Sequence, residues 1–166
     1  MMRKPPIYPK CEGEFTGKAS VFLSGEPVTV NCLNGWIVFQ KRTSASVNFY
    51  TTWSDYKLGF GNSDNFWLGN DEISQISKAG YTRLRISLKE ADGHTGFGEW
   101  KGFSLGNEGT KYTLSVGAMT AGDIGNDFGN LNGRKFSTKD NDNDSWSRSC
   151  AMSVLFSCKR ASVPMT

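Results

Sequence analysis

Asp140, Asp142 and Asp144 stand at alternate positions, separated by Asn141 and Asn143 and followed by Cys150. Three like charges this close together repel one another unless a cation or solvent screens them. Oxygen donors at this density suit a hard cation, and Ca²⁺ takes about six to eight oxygens from carboxylates, backbone carbonyls and water. The competing reading is a solvated acidic turn, because Asp and Asn are ordinary loop residues. The EF-hand template fails. With its loop begun at Asp140, the turn glycine falls on Ser145 and the bidentate glutamate on Ala151.

Other chemistries find less to work with. His94 is the only histidine and lies in Asp92-Gly93-His94-Thr95-Gly96, a solvated turn by composition. No Ser/His/Asp order can be built around it, and neither a phosphate-cradling glycine motif nor a cysteine–histidine zinc spacing occurs. Paired carboxylates for glycoside hydrolysis could be sought in Asp140 to Asp144. Nothing else supports catalysis, so the chain reads as a non-enzyme.

Composition bounds the rest. The 166 residues suffice for one domain with a real core. Lys and Arg number 19 against 16 Asp and Glu, a net charge of +3. Basic residues are scattered, with Lys159-Arg160 at one end and Arg3-Lys4 at the other. That pattern argues against nucleic acid as a partner, and no apolar run is long enough to cross a membrane. The start, Met1-Met2-Arg3-Lys4-Pro5-Pro6, has no apolar stretch behind it and is not a secretory signal. The four cysteines instead suit an oxidising compartment. The obvious pairing is Cys11 with Cys32 and Cys150 with Cys158, although four cysteines allow three connectivities.

The elements that must hold these residues are mostly strands. Leu84, Ile86 and Leu88 alternate with polar neighbours, as do Tyr112, Leu114 and Val116. Trp36 to Gln40 is a continuous β-prone run and predicts a more buried strand. Ala19 to Leu23 and Val28 to Asn31 flank the turn residues Ser24-Gly25-Glu26-Pro27. Thr52 can cap a helix over Trp53 to Leu58, stopped by Gly59. Asn70 or Asp71 can cap a second helix through Ile73 and Ile76, ended by Gly80. Beyond Gly117 the pattern dissolves into Gly, Asn, Asp and Ser. The class is α+β with an antiparallel sheet, and Trp36, Trp53, Phe66 and Trp67 read as core residues.

A longer pattern is more particular. Gly35-Trp36-Ile37-Val38-Phe39-Gln40-Lys41-Arg42 precedes Trp53-Ser54-Asp55-Tyr56-Lys57-Leu58-Gly59-Phe60-Gly61 and Phe66-Trp67-Leu68-Gly69-Asn70-Asp71. Ala121-Gly122-Asp123 and Asn132-Gly133-Arg134-Lys135-Phe136-Ser137-Thr138-Lys139-Asp140-Asn141-Asp142 follow. From Cys11 to Cys150 the chain closely resembles the fibrinogen C-terminal domain family, which includes fibrinogen chains, ficolins, tachylectins, angiopoietins and tenascins.

The resemblance implies one Ca²⁺, bound by the side chains of Asp142 and Asp144 and the backbone carbonyls of Trp146 and Arg148, with Asp140 a neighbour rather than a ligand. It implies an extracellular domain that recognises an acetylated sugar or another glycan, or else a protein receptor, and that can homo-oligomerise in a full-length form. Asn143-Asp144-Ser145 is a formal glycosylation sequon, expected to go unused inside a folded metal loop.

After Cys150 the resemblance breaks. Ala151-Met152-Ser153-Val154-Leu155-Phe156-Ser157-Cys158 lacks the family's paired tryptophans and is shorter. The resemblance places the family's ligand pocket largely beyond this point, so the pocket is expected to be largely missing here and no ligand-pocket residue is carried over; the expected domain is an incomplete one over 11–158, between an extension at 1–10 and a tail at 159–166. The expectation is a partial product of a longer secreted protein.

Overall fold

Ser24 and Gly25 carry positive φ (52° and 88°), as both central residues of a type I′ hairpin turn must. They join β1 (Gly17–Leu23) to β2 (Glu26–Leu33), paired from Gly17 opposite Cys32 to Leu23 opposite Glu26. The turn is therefore shorter than expected, and Glu26 and Pro27 already belong to β2. Pro27 is tolerated because, among the described residues, β3 (Trp36–Val38) pairs only with Asn31, Cys32 and Leu33, so no strand needs the missing N–H of Pro27 on that edge. The computed structural model describes residues 8–144.

A Cys11–Cys32 disulfide, with Cα atoms 5.6 Å apart, ties the entering chain to the end of β2. One of the expected pairings is thus present, while Cys150 and Cys158 lie outside the described residues. Ala19, Val21, Leu23 and Val30 pack with this disulfide and Ile76 as a first apolar cluster.

The run from Trp36 to Gln40 is not one buried strand. It divides at Phe39 into β3 and β4 (Gln40–Arg42), which belong to different sheets, and its side chains are only half-buried. Phe39 lends its carbonyl to the Leu68 N–H at 2.8 Å. Its ring stacks on Phe103 at 6.0 Å and meets the Trp67 ring edge-on at 5.8 Å. β4 pairs with β6 (Asn65–Trp67), which also pairs with β5 (Phe60–Gly61).

Helix α1 (Trp53–Leu58) has the expected bounds. Thr52 and Asp55 form a reciprocal capping box and Gly59 closes the helix at φ 91°. Helix α2 (Asn70–Lys78) differs at its start: Gly69 is its N-cap and no side chain caps it. Asn70 cannot serve because its Oδ1 accepts from Trp67 Nε1 at 3.1 Å, and Asp71 is engaged by Tyr112.

β7 (Leu84–Lys89) alternates as expected at Leu84 and Ile86 but not at Leu88, which is exposed, and β8 (Thr95–Trp100) pairs with it and with β11 (Met119–Gly122). Between them β9 (Ser104–Leu105) pairs with β10 (Leu114–Ser115). Tyr112, Leu114 and Val116 are all buried, so the alternation is real. Yet the ladder there is only two residues long, because Lys111 and Tyr112 adopt left-handed backbone (φ 57° and 47°). The architecture is α+β as expected, with its described strands divided among four small antiparallel sheets. The main core joins Trp67, Ile73, Leu84, Trp100, Phe103 and Leu114 to these rings and strands.

Candidate functional site

The acidic segment is built by asparagine as much as by aspartate. Thr138 and Asn141 exchange two backbone hydrogen bonds, at 3.0 and 3.2 Å, which bend the chain between them. Asn143 then locks the bend. Its N–H donates to Ser137 Oγ at 2.9 Å, and its Nδ2 donates to the Phe136 carbonyl at 2.9 Å and to Asn141 Oδ1 at 3.0 Å. Asn143 Nδ2 is thereby committed to the bend.

Asp140 turns to a different task. Its Oδ1 accepts from the Trp53 N–H and from Thr138 Oγ1, both at 2.8 Å. The carboxylate therefore meets an unsatisfied donor in the first turn of α1, where negative charge is favoured. Desolvation would raise its carboxyl, yet the bonds from Thr138 and Trp53 hold it below the ordinary value of 3.8.

Asp142 is exposed, and its Oδ1 accepts the Asp144 N–H at 3.1 Å. The two predicted ligand residues are thus joined by a backbone-to-carboxylate bond, on a bend that their asparagine neighbours hold. The predicted carbonyl ligands, Trp146 and Arg148, lie outside the described residues. Among the described residues no three His, Cys, Asp or Glu side chains converge to hold a metal. The two carboxylates are hard oxygen donors of the kind a calcium ion takes.

A polar network beneath the bend ties α1 to α2. Trp53 packs against Tyr112 and Phe136, with ring centroids 5.3 and 6.1 Å away, and its Nε1 donates to Glu108 at 2.9 Å. Lys57 bridges Glu108 and Asp71, and the Tyr112 hydroxyl donates to Asp71 Oδ1 at 2.6 Å. The carboxylates raise the Lys57 ammonium above its ordinary value. Burial and the bond to Asp71 raise the Tyr112 phenol likewise. Sequence reasoning missed this network, since its members come from three separate segments.

Beside Phe136 lies a small apolar cleft lined by Phe39, Trp67, Asn70, Phe103, Tyr112 and Phe136 among others. Trp67 and Phe66 are buried as expected, whereas Trp36 and Trp53 are half-buried. His94 is exposed, in a turn closed by the Gly93 N–H to the Glu90 carbonyl.

Small antiparallel sheets, two short helices and an acidic bend behind an aromatic cluster define a fibrinogen-like globe. Residues 26–159 match the C-terminal globular domain of fibrinogen β and γ chains, and the chain belongs to that family. Ryncolin-4 of Cerberus rynchops is 45% identical over 119 residues, covering 71% of this chain and 34% of that protein. The chain thus spans about a third of that relative's length. The fibrinogen-like globe domain of human ANGPTL6 superposes with a TM-score of 0.79 at 34% identity, covering 91% of this chain and 73% of that one. Lamprey fibrin D-dimer, complexed with the peptide ligand Gly-His-Arg-Pro-amide, gives 0.75 at 33% identity, covering 84% and 51%.

Proposed function

We propose that this chain is a secreted, calcium-binding recognition domain without catalytic activity, of the lectin-like kind that binds acetylated sugars. The observation that carries the reading is the division of labour at 140–144. Asp140 serves α1 and Asn143 serves the bend, while at its outer end the Asp142 carboxylate accepts the Asp144 N–H. Calcium, when bound, supplies a positive centre for the Asp142 and Asp144 carboxylates and the carbonyls of Trp146 and Arg148. The chain's own residues do the positioning. Asn143 sets the direction of the bend, and Asp140 anchors it to α1. The family membership and the oxygen-only donor chemistry support this reading.

A second reading, a module that binds a protein partner, is favoured by the lamprey relative, whose structure holds a peptide ligand. Retention on an immobilised acetylated sugar separates the two. The lectin reading predicts retention that free acetylated sugar and a calcium chelator each abolish. Absence of retention, with capture of an extracellular protein by the same chain, would support the second reading instead.

A further inference from the structure

One largely buried carboxylate organises the outer face of β7. Glu99 lies opposite Arg85 in the β7–β8 ladder. Arg85 Nη1 donates to its Oε1 and Arg83 Nη2 to its Oε2, each at 2.9 Å. Each guanidinium also lies over an aromatic ring, Arg83 5.2 Å from the Trp36 centroid and Arg85 4.3 Å from that of Phe97. Stacking and ion pairing restrict both side chains in advance, which lowers the entropy lost when a partner binds.

One arginine would neutralise Glu99, so two leave a surplus of positive charge. The bonds to Glu99 use one nitrogen of each guanidinium, and the Arg83 and Arg85 side chains stay 67% and 38% exposed, which leaves N–H donors for a partner. Lys89 extends the row: it falls on the same side of β7 by alternation, is exposed, and forms no ion pair among the described residues. Three cations against one carboxylate leave +2 on this face, in a chain whose net charge is +3. Asp123, on the β11 side, is turned to the Phe97 N–H at 2.8 Å, and Glu90 and Asp92 mark the end of the row in the turn beyond. A lysine on an edge strand can serve only to block pairing with another sheet. That role accounts for Lys89 but not for two arginines set in place by rings and a buried carboxylate.

Arg83, Arg85 and Lys89 lie along a line of roughly 20 Å at the rise of a strand, and a straight row of charge matches a single linear polyanion. Disulfides such as Cys11–Cys32 persist in oxidising compartments, where the common linear polyanions are sulfated polysaccharides. We propose that the β7 face binds a sulfated linear polysaccharide, with Arg83 and Arg85 donating to its sulfates and Lys89 extending the contact. The inference rests on neither calcium nor acetylated-sugar binding.

Titrating labelled heparin with the full chain, in chelator and at about 0.15 M salt, tests it by fluorescence anisotropy. The wild type is compared with Arg83→Gln, Lys89→Gln and with Lys41→Gln, Lys135→Gln, a pair that loses equal charge from other exposed positions. The wild type should bind saturably, about tenfold or more tighter than the first pair and within about twofold of the second. Heparin stripped of its sulfates should not compete. Equal weakening by both pairs, competition by the desulfated polymer, tighter binding of duplex DNA, or no binding by a folded wild type would each overturn the proposal. A second measurement uses the unaltered chain, whose lysines are acetylated with and without heparin and mapped by mass spectrometry. Protection of Lys89 with Lys41 and Lys135 still modified is expected, and uniform protection or none would overturn the proposal.

Discussion

The Trp53 N–H donates to Asp140 Oδ1 at 2.8 Å, joining the first turn of α1 to a residue 87 positions later. The bond explains why three aspartates can stand so close without all serving one cation. Asp140→Ala removes this remote cap and the bond from Thr138, and should destabilise the domain by about 1 kcal/mol, as loss of a helix cap does. Asp140→Asn keeps an oxygen acceptor and should cost less. Urea denaturation checks both. Neither variant should weaken calcium binding as much as Asp142→Ala.

Acid should act through Asp140 and Asp71. At Asp71 burial alone would raise the carboxyl, but the bonds from Tyr112 and Lys57 hold it below 3.8, and Asp140 is likewise lowered. A folded-state value below the unfolded one favours folding at pH above 3.8, and the contribution is lost as pH falls through the lower, folded value. The stability gap between the wild type and Asp71→Asn should therefore be constant near neutrality and close progressively below pH 3.8. A gap that widens with acid would contradict the assignment.

Gly59 closes α1 at φ +91°, and a Cβ built there would lie 2.4 Å from the Leu68 carbonyl oxygen. Both the backbone strain and the collision oppose any side chain, so Gly59→Ala should cost at least about 1–3 kcal/mol. Thermal unfolding should show a drop of several degrees. An unchanged midpoint would mean that the α1–β6 junction yields more easily than its geometry indicates.

Reduction of Cys11–Cys32 removes a crosslink over 21 residues. Such a loop is worth about 3 kcal/mol through restriction of the unfolded chain. Cys32→Ala or reductant should lower the denaturation midpoint accordingly, while the β1–β2 register, held by its own ladder and turn, should persist in amide-exchange measurements.

Local chemistry was readable in the sequence wherever one short segment decided it. Thr52 and Gly59 bound α1 because cap and stop act at the helix's own ends, while the Asp55 box emerges only in the structure. Asn70 misled for a tertiary reason: its amide is held by Trp67 inside the core, leaving the cap to Gly69. The alternation from Tyr112 to Val116 reported burial correctly but not pairing, since left-handed backbone at Lys111 and Tyr112 shortens the ladder. Phe39 split a run of β-forming residues because its ring packs with Phe103 and Trp67. At the candidate site, spacing pointed to Asp140, Asp142 and Asp144 together and the family resemblance singled out the last two, yet only the fold shows that Asp140 belongs to α1.

Calorimetric titration of Ca²⁺ into the wild type and into the Asp142→Ala, Asp144→Ala pair tests the central claim most directly. The account predicts saturable binding at one site in the wild type and its loss in the double variant, with Asp140→Asn still binding. Equal heats from the wild type and the double variant, or no binding by a folded wild type at millimolar calcium, would contradict it.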